Sequence, residues 1–351
     1  MSPNTETTTV PFLDMARRTR RFAAAGHAAI DRITDRGVVL LGPETEAFET
    51  ALAHYTGYKH AIAIASATEA LRLTMSAMHI GPGDEVIVPA FTAVPTAAAV
   101  CASGATPVFV DVDPETATMN ISAAAARVTE RTRAVIPVHL YGRPSEIPDL
   151  GVPVIEDAAQ ADGALVHHHH SAAVSYSFYP TKNLGGLGDG GAIVTDDDDL
   201  ALRMRRMRVH GLTENYVHTE ISTNARLSEF EAAWLAASLL ELDTDNERRR
   251  MIARRYREAA PHLQWQADHE RHVYHLCVVR VPDRDAWRAR APFGTALHYP
   301  VALTQQPAYE WYVDEPCREA EGWAAECVSL PCFPEMTDEE VAFVAEALSC
   351  L

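Results

Sequence analysis

The sequence predicts an α/β protein with a mainly parallel sheet flanked by helices, followed by a smaller C-terminal α+β domain. Short apolar runs alternate with helix-length segments through the first half of the chain, which is typical of parallel strands that are buried on both faces. A polar, helix-rich stretch follows at residues 228–260. We therefore expect a large domain over residues 1–240 and a small C-terminal domain over residues 241–351.

The first predicted elements form a helix, strand and helix unit. Apolar residues recur at helical spacing over residues 44–55, and Gly57 ends that helix. Residues 61–65 are apolar and partly β-branched, which predicts a strand. Ser66 then opens a second helix whose inner stripe includes Leu71 and Met75. Further strands are predicted at 86–88, 107–110, 134–138, 153–155, 272–281 and 295–299, and a terminal helix at 338–348.

Composition excludes several classes of protein. A formal charge of −18 repels phosphate backbones, and the arginines of residues 248–257 are interpreted as a solvated helix face, so we expect no nucleic-acid partner. The polar N-terminus and the lack of an apolar run of roughly 20 residues indicate neither export nor a membrane span. The 6 cysteines form no C-x-x-C pair, which favours reduced thiols in a cytoplasm.

The chain has only two lysines, Lys59 and Lys182. Lys182 lies where an apolar strand gives way to a loop rich in glycine, and a lysine in that setting can lose its water and its proton. A neutral amine of this kind forms Schiff bases. The alternative is an ordinary exposed loop lysine.

Asp157 directly follows a buried strand, at the edge of the sheet where ligands of parallel α/β proteins bind. Pyridoxal phosphate (PLP) chemistry needs a carboxylate beside the pyridine nitrogen, and Asp157 suits that role. Gln160 follows at a distance that allows a hydrogen bond to the phenolic oxygen of the cofactor. The alternative for Asp157 is a helix cap.

The start of the second helix, at Ser66, Ala67, Thr68 and Glu69, is a candidate site for the cofactor phosphate. Backbone N–H groups and the positive end of the helix dipole attract anions there. Ser66 and Glu69 also match a capping box, which needs no ligand.

Three motifs together resemble the signature of the DegT/DnrJ/EryC1/StrS sugar aminotransferases. They are Asp157-Ala158-Ala159-Gln160, the run from Ser177 to Gly185, and Gly188-Asp189-Gly190-Gly191. The likeness continues in segments at 11–14, 41–44, 82–89, 108–113, 298–300 and 330–331, so it spans nearly the whole chain.

The resemblance implies a fold-type I PLP-dependent transferase that acts as a homodimer with shared active sites. By motif position, Lys182 is the Schiff-base lysine, Asp157 the pyridinium partner and Gln160 a contact to the ring. The phosphate site is Ser177 with Ala67 and Thr68, and Asn224 or Arg226 closes the neighbour's phosphate site. His298 and Tyr299 belong to the motif at the substrate mouth, although a packed strand histidine is an equal interpretation of His298.

The sequence also departs from the family pattern. Ala93 stands where the family has an aromatic residue that stacks on the cofactor ring, and Phe91, two residues earlier, is the remaining aromatic candidate for a cofactor contact. Asp162 and Thr304 replace histidines that are common in the family. The run His167 to His170 lacks the spacing of a closed metal site, so we interpret it as a surface loop and expect no metal.

These features predict an aminotransferase that moves an amino group from an amino acid, glutamate, to a nucleotide-linked keto-deoxysugar. The amino-acid sequence of residues 187–191 favours 3-keto over 4-keto acceptors by analogy with the family. A keto-cyclitol or another carbonyl compound is the alternative acceptor. A PLP-binding regulatory protein without catalysis is the alternative from another class.

Overall fold

The computed structural model describes residues 10–165, 167 and 170–351. The helices are α1 (Met15–Arg36), α2 (Pro43–Thr56), α3 (Ala67–Ala77), α4 (Val94–Ser103), α5 (Ile121–Ala126), α6 (Asp198–Met207), α7 (Glu229–Leu239), α8 (Leu242–Ala259), α9 (Arg284–Arg290), α10 (Arg318–Glu326) and α11 (Asp338–Cys350). The strands are β1 (His60–Ile64), β2 (Glu85–Pro89), β3 (Thr106–Val110), β4 (Thr132–Val135), β5 (Ile155–Asp157), β6 (Ala173–Ser177), β7 (Gly191–Thr195), β8 (Gln264–Trp265), β9 (Cys277–Arg280) and β10 (Cys327–Leu330).

Seven strands form the central sheet in the order β3-β2-β4-β5-β6-β7-β1. Parallel bridges from Val135 to Val154 and from Val138 to Asp157 join its two halves. Only β7 runs against the others, because it pairs antiparallel with both β6 and β1. The prediction of a mainly parallel sheet is therefore confirmed.

Helices cover both faces of this sheet. On β1, Ile62 belongs to a core with Leu73 of α3 and Met204 of α6. Its neighbour Ala63 belongs to a separate core with Phe48 of α2 and Leu235 of α7. Because adjacent strand residues point to opposite faces, both sides of the strand are buried, and this accounts for its apolar composition.

The C-terminal part of the chain adds an antiparallel sheet in the order β10-β9-β8. Its core includes Ile252 of α8, Val279 of β9 and Leu348 of α11. The predicted strand at 295–299 is reduced to a single bridge between Ala296 and Ser329. Leu276 and Trp323 pack instead into the core of the first half, so the division at residue 240 stays a prediction.

The 22-residue helix α1 is an element that our sequence analysis did not predict. Asp14 caps its start by accepting hydrogen bonds from the backbone of Ala16 and Arg17, and Gly37 ends it in a left-handed conformation. Phe22 and Ile33 are buried on its inner face. Among the described residues, no helix is both long and apolar enough to cross a membrane.

Candidate active site

A cavity of about 460 Å³ opens at the carboxyl ends of the central strands. This volume lies in the range of about 300–1,000 Å³ that is usual for small-molecule sites. Its lining includes most of the residues that the sequence predicted for the cofactor and substrate, namely Ala67, Thr68, Asp157, Gln160, Ser177, Lys182 and Tyr299. These residues come from four separate segments of the chain, and the fold brings them together.

Lys182 enters the cavity from the loop between β6 and β7. Burial removes water from its amine and lowers its pKa to about 8, although the carboxylates of Asp157 and Asp162 act in the opposite direction. A substantial fraction of the amine is therefore neutral near physiological pH. The structure thus favours the interpretation of Lys182 as a desolvated amine over that of an exposed loop lysine.

The carboxylate of Asp157 is held at the end of β5 and is only 4% exposed. Oδ2 accepts a hydrogen bond of 2.7 Å from the hydroxyl of Thr96, and Oδ1 accepts one of 3.0 Å from the backbone N–H of Ala159. Two donors keep the carboxylate in one orientation at the cavity wall. This arrangement suits a group that must bind a protonated ring nitrogen.

The Gln160 side chain is fixed by two neighbours. Oε1 accepts from the backbone N–H of Tyr141 at 2.6 Å, and Nε2 donates to the hydroxyl of Tyr299 at 2.7 Å. The bond to Tyr299 uses one of two amide hydrogens. The other hydrogen is the one that can serve a ligand in the cavity.

The start of α3 also lines the cavity. Ser66 caps this helix by accepting from the backbone N–H of Glu69 at 3.2 Å. The Glu69 carboxylate turns away to Arg72 and Thr223, so it does not close a capping box. Ala67 and Thr68 line the cavity together with Ser177, and N–H groups in the first turn of a helix have no partner within the helix. The site is suited to a phosphate.

These groups together fit PLP. Lys182 offers an amine for its aldehyde, Asp157 a carboxylate for its ring nitrogen, and the start of α3 with Ser177 a site for its phosphate. Each group alone has an ordinary structural explanation. Their convergence on one cavity makes a cofactor site the better interpretation.

The structure corrects the expectation for Phe91. Its side chain is fully buried in the core, stacked on Trp323 at a ring-centroid distance of 6.2 Å and edge-on to Tyr141. Thr92 and Ala93, which follow it, line the cavity instead. The prediction that Phe91 binds the cofactor is therefore wrong, because the backbone after β2 directs this side chain inward.

His298 lines a smaller cavity of about 80 Å³ next to Thr181, Arg249 and His275. Its Nδ1 lies 2.9 Å from the Ser329 hydroxyl, and burial together with the charge of Lys182 lowers its pKa to about 4. It is thus a neutral histidine near Lys182. A role at the substrate mouth stays a prediction.

Asn224 and Arg226 do not reach the cavity of their own chain. Asn224 is exposed, and its Oδ1 accepts from Nε of Arg226 at 2.8 Å. Each of them forms a backbone bridge, Asn224 to Val209 and Arg226 to Ile64. Their expected place in the neighbour's site stays a prediction.

The histidine run is only partly described, because His168 and His169 lie outside the described residues. His167 Nε2 lies 2.7 Å from Asp196, and its ring packs edge-on against Tyr58. In the described part of the chain, no three His, Cys, Asp or Glu side chains converge as a metal site does.

Two residues that the sequence did not predict hold Asp157 and Lys182 in place without lining the cavity. Thr96 is a fully buried hydroxyl in the alanine-rich helix α4, and that polar position in an apolar stripe was the available signal. Arg18 of α1 donates hydrogen bonds to the backbone carbonyls of Lys182 and Asn183, at 2.5 and 2.9 Å. No local pattern in the sequence links residue 18 to residue 182.

Comparison with known proteins agrees with this geometry. The model of the DegT/DnrJ/EryC1/StrS aminotransferase family matches residues 22–349. A pleiotropic regulatory protein of Geobacillus stearothermophilus is 37% identical, over 97% of this chain and 98% of its own length. A dTDP-3-amino-3,4,6-trideoxy-alpha-D-glucose transaminase of Streptomyces venezuelae is 39% identical, over 99% of this chain and 97% of its own.

Among solved structures, the fold is similar to that of S. venezuelae DesV in complex with a ketimine intermediate. The TM-score is 0.93 at 38% sequence identity, and the match covers 98% of each chain. Both the sequence and the fold therefore match over nearly their full length.

Proposed function

Because this chain belongs to the DegT/DnrJ/EryC1/StrS aminotransferase family and is a PLP-dependent aminotransferase, we propose that it transfers an amino group from glutamate to a nucleotide-linked keto-deoxysugar. The observation that carries this proposal is the convergence of Lys182, Asp157 and the start of α3 on one cavity. A covalent anchor, a ring partner and a phosphate site are what PLP requires.

Lys182 and Asp157 are the catalytic residues of this proposal. PLP, when bound, supplies an aldehyde that accepts the amino group and a ring that delocalises the electrons of the broken C–H bond. The Lys182 amine would hold the cofactor covalently and, when free, would act as the base that takes the proton from the substrate carbon and returns it. Asp157, fixed by Thr96 and Ala159, keeps the ring nitrogen protonated.

The remaining contacts orient the cofactor. Ala67 and Thr68 would hold its phosphate through their backbone N–H groups, and Ser177 would do so through its hydroxyl. Gln160 donates its second amide hydrogen to the phenolic oxygen. Both contacts hold the ring with its aldehyde at Lys182.

The acceptor class rests on the relatives. The S. venezuelae relative is named for a dTDP-linked sugar with its amino group at carbon 3. The segment Leu187 to Gly191 also favours a 3-keto acceptor, and Asp189 and Gly190 of that segment line the cavity. A keto-cyclitol or another carbonyl compound is the alternative acceptor.

We also propose a cytoplasmic homodimer with shared active sites. Asn224 and the partly exposed Arg226 lie outside their own cavity, which suits residues that close the phosphate site of a partner. Tyr299 lines the cavity and His298 lies beside it, so both suit the substrate mouth. All six cysteines are free thiols, which a reducing compartment maintains.

A regulatory protein that binds PLP without catalysis is the second candidate, and the name of the Geobacillus relative favours it. The lowered pKa of Lys182 favours a catalyst, and so do the two hydrogen bonds that hold the Asp157 carboxylate. Glutamate distinguishes the two candidates. A catalyst changes the visible absorbance of its bound PLP when glutamate is added, whereas a sensor without catalysis leaves it unchanged.

The chain's two lysines make a sharp test possible. Purified protein is incubated with PLP, glutamate and a panel of nucleotide-linked 3-keto sugars, nucleotide-linked 4-keto sugars and keto-cyclitols, and each product is scored by mass and regiochemistry. Lys182→Ala should abolish both PLP attachment and amination. Lys59→Arg is the matched control, because Lys59 is an exposed lysine that pairs with Asp198 on the surface.

The outcomes separate the parts of the proposal. Amination at carbon 3 by wild-type protein and by Lys59→Arg supports it in full. Products only from 4-keto sugars reject the preferred acceptor, and products only from keto-cyclitols reject the sugar. Full activity of Lys182→Ala rejects the assignment of the site itself.

A further inference from the structure

A second carboxylate, that of Asp162, lies buried below the loop that carries Lys182. It is 2% exposed, and its Oδ2 accepts a hydrogen bond of 3.3 Å from the backbone N–H of Leu184, two residues after the lysine. Asp162 does not line the cofactor cavity. Asp162 therefore acts on the Lys182 loop from outside the cavity.

The same loop is fixed from several sides. Arg18 donates to the carbonyls of Lys182 and Asn183, while the Asn183 amide donates to Asn246 at 2.7 Å. Asn246 in turn donates to the backbone carbonyl of Asp162 at 2.9 Å. One hydrogen-bond network thus connects the backbone of Lys182 with α1, α8 and Asp162.

Charged and titratable groups from five elements of the fold interact electrostatically with Asp162. They are Arg18 of α1, Tyr55 of α2, Tyr176 of β6, Lys182 of the loop and Arg249 of α8. Burial raises the pKa of Asp162 to about 7, while the bond from Leu184 and the charges of Lys182 and Arg18 act against this. Its negative charge in turn raises the pKa of Lys182, as that of Asp157 does.

We propose that Asp162 is a positioning residue for Lys182, which holds the loop through Leu184 and supplies a second negative charge to the lysine amine beside that of Asp157. The inference rests on the proposed role of Lys182 as the cofactor lysine. It goes beyond that role, because it assigns control of the amine's protonation to a group that touches neither cofactor nor substrate. Loss of the Asp162 charge should make the amine neutral at lower pH.

The test measures how fast apo-protein captures PLP at each lysine between about pH 6 and pH 9. Reduction with borohydride traps the adduct, and peptide mass then reports Lys182 and Lys59 separately. Lys59 corrects for changes in PLP itself, because the same PLP reacts with both. Wild-type capture at Lys182 should rise with pH around a midpoint of about 8.

Asp162→Asn keeps the acceptor for Leu184 and removes the charge. Its midpoint should fall by about half a pH unit, which is roughly threefold more capture at pH 7. Asp245→Asn is the control, because Asp245 is a buried partner of Arg21 near Arg249, outside the charges that act on Lys182. Its midpoint should stay at the wild-type value.

Three results would overturn the inference. They are an unchanged midpoint in a folded Asp162→Asn protein, a midpoint that rises, or an equal fall in Asp245→Asn. If Asp162→Asn does not fold, the wild-type profile decides, because ionisation of Asp162 opposes deprotonation of the Lys182 amine and makes the curve shallower than a one-proton titration. No capture at Lys182 in wild-type protein would instead reject the proposed function.

Discussion

The hydroxyl of Thr96 donates a hydrogen bond of 2.7 Å to Oδ2 of Asp157, and neither side chain is more than 4% exposed. The bond ties the first turn of α4 to the end of β5. A hydrogen bond to a buried charge contributes more than one between neutral groups. The orientation of the Asp157 carboxylate therefore depends on a residue of a different helix.

Thr96→Val keeps the shape of this side chain and removes the donor. We expect a loss of about 1.5–3 kcal/mol in the unfolding free energy of the apo-protein, and PLP binding weakened by about tenfold, because the carboxylate is no longer fixed. Chemical denaturation and cofactor titration measure the two effects. Thr96→Ser keeps a hydroxyl and should retain most of both; equal losses in the two variants would contradict the prediction.

The buried cation Arg18 gives a second prediction. Arg18→Met leaves the carbonyls of Lys182 and Asn183 without this donor, and each buried group that loses its partner costs about 1–3 kcal/mol. We expect the unfolding free energy to fall by about 2 kcal/mol or more. Arg20→Met is the matched control, because Arg20 is exposed on the same helix. A smaller effect at Arg18 than at Arg20 would exclude the role given to Arg18.

The difference between Arg18 and Lys182 marks how far the sequence could lead. Lys182 and Asp157 lie in local motifs whose chemical role can be recognised from the sequence. The structure brings both residues to one cavity. Arg18 acts on residues 164 and 165 positions away, through a helix with no motif. Such a contact depends on how elements pack, which spacing along the chain does not encode.

Phe91 shows a second limit of the same kind. It lies two residues from Ala93, and both follow the same strand, yet Ala93 lines the cavity while Phe91 packs against Trp323. The direction of a side chain after a strand ends depends on the backbone turn there. The sequence predicted the correct segment, but it could not predict which of its residues faces the ligand.

The pH dependence of stability follows from His298. Burial lowers its pKa from 6.5 to about 4, so between these values the unfolded chain binds a proton that the folded chain does not. Stability is therefore lost as the pH falls from about 6.5 to 4, by up to about 1.4 kcal/mol per pH unit from this one residue. His272 and His275, whose pKa values burial also lowers, add to the loss.

Denaturation of the apo-protein at a series of pH values measures this loss. His298→Gln removes one titrating group, so its unfolding free energy should decline less steeply below pH 6.5 than that of the wild type. His262→Gln changes an exposed histidine and serves as the control. A wild-type slope that persists in His298→Gln would show that another group is responsible.

The last prediction concerns the close approach of β7 to the start of α3. A Cβ atom at Gly191 would lie 2.5 Å from the backbone carbon of Ser66 and 2.6 Å from the backbone nitrogen of Ala67. Backbone atoms cannot turn aside as a flexible side chain can, so Gly191→Ala must displace the first turn of α3. We expect a loss of several kcal/mol in stability and, in any protein that folds, weaker binding of PLP through its phosphate.

Gly81→Ala is the control, since a Cβ there meets only the Ser103 carbonyl at 3.4 Å. Cofactor titration with PLP and with pyridoxal, which lacks the phosphate, separates the two effects: if Gly191→Ala weakens both equally, the start of α3 is not the phosphate site.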